Sequence, residues 1–167
     1  MIAQPARKNV IFSLAITVLG LISACSSTPA TTSADDAARG NKMPQAGIGQ
    51  TAAMIARQQV GAPYRYGGSS PDGFDCSGLV QYSYARAGIR VPRTTGQLWS
   101  AARPVTRDDL RTGDLLFFSI DGKMSHVGMY LGDQRFVHAP STGRKVSIAS
   151  LESPFYDQAF IRAGRVR

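Results

Sequence analysis

Apolar residues fall at helical spacing in the first half of the chain and as short runs in the second. Over residues 50–60, Ala52, Ile55, Ala56 and Gln59 or Val60 lie near one face. This predicts a helix, ended by Gly61 and Pro63. A second helix is expected from about Cys76 to Arg86, with Leu79, Val80, Ser83 and Ala87 inward, Asp75 as N-cap and Gly88 as the stop. Thr94 or Thr95 caps a shorter helix through about Ala101. The pattern then changes. Leu115-Leu116-Phe117-Phe118 is an unbroken apolar run, as a buried strand requires. Residues 126–131 and 135–138 read as two strands joined at Gly132-Asp133-Gln134, an antiparallel hairpin, with further strand candidates at 145–149 and 159–166. Helices followed by a run of strands indicate an α+β fold.

The N-terminus has a different character. Arg7 and Lys8 precede a twelve-residue apolar stretch, Val10 to Leu21, too short to span a bilayer as a helix of roughly 20 residues. Ile22-Ser23-Ala24-Cys25 follows and resembles the bacterial lipobox. Residues 1–24 are therefore expected to be a lipoprotein signal peptide and Cys25 the lipid-modified residue. Ser26, with no Asp there, resembles lipoproteins sent to the outer membrane, facing the periplasm, in a source that has one. Residues 25–49, rich in Ser, Thr, Ala, Gly and Pro, read as a tether, leaving 50–167 as the folded domain. The net charge is +8, and +6 once Arg7 and Lys8 are set aside. The basic residues are scattered, without runs or interleaved aromatics, which argues against nucleic-acid binding. They suit an acidic wall polymer or anionic lipid.

The cysteine count sharpens this picture. There are two cysteines, and a lipidated Cys25 leaves Cys76 without a partner in an exported chain, where thiols are normally paired. Cys76 also stands at a predicted helix start, where the macrodipole and unpaired N–H groups favour an anion, so its thiol pKa is expected to be lowered. A nucleophilic cysteine needs a base and a group to orient that base. The chain has two histidines, His126 and His138, and both fall on the predicted hairpin. A three-residue loop at 131–133 pairs them directly, and one at 132–134 makes them diagonal neighbours on one face. A two-residue loop at 132–133 puts them on opposite faces. A working dyad therefore requires an odd-length loop or a bulge. A zinc site from the same residues lacks a fourth ligand at usual spacing. No metal, nucleotide or other cofactor is suggested.

Six ordered blocks carry a family resemblance: Pro63-Tyr64-Arg65-Tyr66-Gly67-Gly68, Asp75-Cys76-Ser77-Gly78-Leu79-Val80, Val91-Pro92-Arg93-Thr94-Thr95, Arg111-Thr112-Gly113-Asp114-Leu115, His126 through Gly132, and Phe136-Val137-His138-Ala139. Over roughly residues 50–166 the chain resembles the NlpC-type cell-wall cysteine peptidases, among them the Spr-like murein endopeptidase lipoproteins. The resemblance implies a papain-like α+β fold, helices packed on an antiparallel sheet, and hydrolysis of peptide bonds in peptidoglycan stem peptides or cross-links. It implies Cys76 as nucleophile, His126 as general base, His138 as the residue that orients it, and Tyr64 as an oxyanion contact. Asp75, with Ser77 beside it, implies contact with a substrate amine, and Arg93 a contact with a substrate carboxylate. Tyr66 and Trp99 are expected to pack rather than touch substrate. The alternatives are acyl hydrolysis or transfer on another amide or ester, and a non-catalytic wall-binding domain. The bond cut, a regulatory adaptor or protease, and the oligomeric state are left open.

Overall fold

A computed structural model describes residues 45–167, so the expected signal peptide, lipidated Cys25 and most of the tether lie outside the described residues. The first helix, α1, is Gln45–Gln58 and begins five residues before the sequence reading placed it, inside the expected tether. Its buried face explains the difference. Ile48 reaches the core one turn ahead of Ala52, Ala53 and Ala56, so the extra turn gains apolar contact despite its Gly residues. Val60, by contrast, is exposed.

A short hairpin, β1 (Ser69–Ser70) and β2 (Gly73–Phe74), leads into α2 (Cys76–Arg86). Asp75 caps α2, its Oδ1 accepting from the Gly78 N–H at 2.7 Å. Gly88, with φ of 97°, ends it. The next helix, α3 (Thr95–Ala101), starts at a capping box between Thr94 and Gln97. Six strands complete the fold: β3 (Arg103–Val105), β4 (Leu115–Ile120), β5 (Lys123–Gly132), β6 (Arg135–His138), β7 (Ser147–Ser150) and β8 (Phe160–Arg165). A one-and-a-half-turn helix, α4 (Pro154–Ala159), precedes β8. The strands form one antiparallel sheet in the order β3-β8-β4-β5-β6-β7.

The unbroken run on β4 is explained by burial on both sheet faces. Leu115 and Phe117 pack with α1, α2 and α3 through Ala52, Leu79, Val80 and Leu98. Leu116 and Phe118 pack on the other face with Tyr130, Phe136, Leu151 and Ala163. Full burial of each such side chain contributes roughly 1.5–3 kcal/mol. Trp99 packs edge-on against Phe117 with ring centroids 5.2 Å apart, as expected of a packing residue. Tyr66 does not pack. It is 89% exposed, because its loop carries it outward at a turn whose next residue, Gly67, has φ of 73°. No helix among the described residues is long and apolar enough to cross a membrane.

Candidate active site

The turn between β5 and β6 decides where the histidines point. Met129 pairs with Val137 and Tyr130 with Phe136, then the register shifts, and Gly132 pairs with Arg135. Leu131 is the extra residue, and Asp133-Gln134 turn with φ of 50° and 54°. The strands therefore pair as a loop at 132–134 would make them. His126 and His138 are diagonal neighbours on one face, with His126 Nε2 2.8 Å from His138 Nδ1. The two nitrogens face each other at hydrogen-bond distance, an arrangement in which they cannot share a metal. Gly128 makes room, though less for the imidazoles than for Phe136. A Cβ there would collide with the Phe136 ring, which instead lies 5.0 Å from the His138 ring.

His138 has a second partner that the sequence reading did not identify. Its Nε2 lies 3.4 Å from the Tyr156 hydroxyl, and the two rings stand at 89°. Tyr156 is delivered by α4, whose start is marked by the Ser153 cap and Pro154. That Ser-Pro pair marks the helix in the sequence but not the partner its tyrosine reaches. Both histidines are buried, and burial lowers their pKa values, to about 4 for His126 and about 3 for His138.

Cys76 stands at the first residue of α2, where it was expected. Its sulfur lies 3.7 Å from Thr95 Oγ1 and 3.9 Å from the Ser125 carbonyl, and the Val127 N–H also points to it. The sulfur thus rests against the backbone on both sides of His126. Among the described residues its hydrogen bonds are to these groups and not to an imidazole, a looseness common before substrate is bound. In the sequence Thr95 is legible only as a cap candidate, and nothing there marks Ser125. The thiol pKa departs from expectation. Burial raises it, and this outweighs the bonds from Val127, Thr95 and Ser77 that lower it. Thiol and imidazole are pushed apart in opposite directions, so the resting pair is neutral.

Asp75, Ser77 and Arg93 are brought together, chiefly with each other. Arg93 grips Asp75 through two contacts, Nη1 to Oδ1 at 2.9 Å and Nη2 to Oδ2 at 2.7 Å. It also donates to Ser77 Oγ at 2.9 Å and to the Gly68 carbonyl. The Gly67 N–H donates to Asp75 Oδ2, and Ser77 is itself buried. Burial alone would raise the Asp75 carboxyl, but Arg93 and the Gly78 and Gly67 N–H groups hold it below the usual range. The network fastens the glycine loop to the start of α2. Gly78 completes the junction, since a Cβ there would overlap the Gly68 carbonyl. Tyr64 lines the same cavity as Cys76, about 440 Å³ in volume. A second cavity of about 430 Å³ is lined by His126 and Tyr156.

Residues 61–165 match the NlpC/P60 family. The chain belongs to that family. It is 44% identical over 115 residues to the murein DD-endopeptidase MepH of Escherichia coli, a match covering 65% of this chain and 42% of MepH. It is 41% identical over 107 residues to the E. coli murein DD-endopeptidase MepS/murein LD-carboxypeptidase, covering 64% of this chain and 56% of MepS. Its fold is similar to the NlpC/p60 domain of the peptidoglycan hydrolase SagA, with a TM-score of 0.62 at 32% identity. That match covers 71% of this chain and 98% of the SagA domain. The chain spans about half the length of the curated relatives it matches. The α+β fold, with helices on an antiparallel sheet and a cysteine at a helix start, is that of NlpC/P60 domains.

Proposed function

We propose that this NlpC/P60 protein is a peptidoglycan endopeptidase of the cysteine type, cutting peptide bonds in stem peptides or their cross-links. The observation that carries this reading is the 2.8 Å contact of His126 Nε2 with His138 Nδ1, beside a cysteine at a helix start. That contact leaves His126 Nδ1 as the nitrogen able to take a proton from Cys76. For Nδ1 to be the acceptor, Nε2 must carry the proton and donate to His138 Nδ1. His138 then holds its own proton on Nε2, toward the Tyr156 hydroxyl. The Tyr156 hydroxyl, which can accept that proton, accommodates the tautomer in which His126 is a base.

The reaction follows. Sulfur attacks the carbonyl carbon as its proton passes to His126. The oxyanion is held by N–H groups at the start of α2, aided by the Tyr64 hydroxyl. His126 returns the proton to the leaving nitrogen. Water, deprotonated by the same imidazole, then attacks the thioester and frees the acid. Asp75, Ser77 and Arg93 act as a neutralised wall of the cavity that receives the acyl half, their polar atoms largely committed to one another.

The names of the E. coli relatives support a murein substrate and a place in the cell envelope. A lipid on Cys25 would hold the domain at a membrane, probed by metabolic labelling with a radioactive fatty acid. The function is tested by incubating purified peptidoglycan with the protein and its Cys76→Ala variant. Fragments released only by the unmutated protein are expected, and their masses name the bond. Binding to the sacculus without fragments would point to a wall-binding domain, and the absence of both to another acyl substrate.

A further inference from the structure

The two cavities beside Cys76 and His126 differ in charge. In the one that holds Cys76, Asp75 and Arg93 cancel each other. The other has walls from His126, Tyr156, Pro140 and Phe155, and it carries Arg144. Arg144 is exposed and forms no ion pair among the described residues. Its charge acts on both His138 and Tyr156. Its backbone is pinned: the carbonyl accepts from the Tyr64 N–H at 2.9 Å, and its own N–H donates to the Ser141 carbonyl at 3.1 Å. The adjacent Lys145 pairs with Pro63 in an antiparallel bridge. The segment that brings Tyr64 toward the nucleophile therefore also fixes where this cation stands.

Thiol chemistry assigns the two cavities. The acyl half stays on sulfur, near the N–H groups at the start of α2. The group that protonates the leaving nitrogen must face the amine half. The His126 cavity is therefore the amine side. We infer that Arg144 forms a carboxylate-binding subsite on the amine side of the scissile bond, selecting substrates whose amine-supplying residue bears a free carboxylate. In peptidoglycan that residue is unamidated diaminopimelate, not its amide and not lysine. Phe155, 59% exposed on the same cavity, offers an apolar wall to the aliphatic part of that side chain. The inference rests on the peptidase reading for the direction in which substrate lies and for peptidoglycan as its source.

The test uses two synthetic cross-linked stem-peptide dimers, identical except that the amine-supplying diaminopimelate is a free acid in one and an amide in the other. Binding is measured by calorimetry on the Cys76→Ala protein, with and without Arg144→Gln. With Arg144 present, amidation is expected to weaken binding about tenfold or more, the range of a charged hydrogen bond. With Arg144→Gln the two dimers should bind about equally, and Arg144→Lys should fall between. An unchanged melting temperature verifies that the variants fold. An amidation penalty that is the same in all three proteins, or absent, overturns the subsite. Cleavage by the protein with Cys76 intact is scored separately. Carboxylate-dependent binding without cleavage sinks the peptidase reading and upholds the subsite. Cleavage without that dependence overturns the subsite alone.

Discussion

The buried histidine pair makes stability depend on pH in a calculable way. In the folded protein His126 and His138 titrate near 4 and 3, against about 6.5 when exposed in the unfolded chain. Between those values the unfolded chain binds more protons, so stability falls as pH falls. The contribution is fully present above about pH 6.5 and is lost as pH drops toward 4. From pH 7 to pH 5 each imidazole accounts for about 2 kcal/mol, together roughly 3–4 kcal/mol. That is a large share of the 5–15 kcal/mol typical of a domain. Asp75, whose carboxyl is held down, adds a loss of the same sign only below about pH 4, outside this window. Urea titrations at pH 7, 6 and 5 would measure it. The single tryptophan, Trp99, lies under the Arg162 guanidinium and against Phe117, and its fluorescence reports unfolding. The His138→Asn variant should lose about half as much stability over the same range. Equal stability at pH 7 and pH 5 would refute the assignment of both imidazoles as buried and neutral.

Three further outcomes are expected. Tyr156→Phe removes the hydroxyl beside His138, and should lower kcat roughly five- to tenfold with KM little changed, since the loss is about one hydrogen bond made behind the base. A rise in KM alone would instead make Tyr156 a substrate contact. In a Cys25→Ser background, alkylation of Cys76 by iodoacetamide should inflect above the ordinary cysteine pKa, because burial raises the thiol. A rate that is flat down to pH 6 would mean a resting thiolate. Gly78→Ala should lower Tm by about 10 °C, as the added methyl meets the Gly68 carbonyl, and a drop under about 2 °C would contradict that packing.

Local signals made much of this arrangement legible. Asp75 ahead of an apolar helical stretch marked the start of α2, and the run at Leu115 marked a strand covered on both faces. The parity of the hairpin showed that His126 and His138 could share a face, but not that they would. Leu131 and the Asp133-Gln134 turn decided it, and neither residue type demands a bulge. What escaped depended on long-range placement. Tyr156 is eighteen residues from His138 and reaches it only because α4 folds back over the sheet. The grip of Arg93 on Asp75 is likewise invisible in a sequence, where each charge reads as free. The thiol shifts opposite to the expectation from its helix start, which announces itself in sequence, whereas the depth of the sulfur does not.

The bulge at Leu131 also sets a rule for change in this hairpin. The turn lies at the exposed Asp133, the kind of place where an insertion or deletion is ordinarily harmless. Here the count of residues between the histidines carries information. One residue added or removed would turn His138 to the opposite face, separating it from both His126 and Tyr156, and would turn Phe136 and Val137 away from Tyr130 and Met129 as well. Two residues added together would lengthen the loop and restore the pairing. Length variation in this turn should therefore be tolerated in even steps and selected against in odd ones, the reverse of what its exposure suggests.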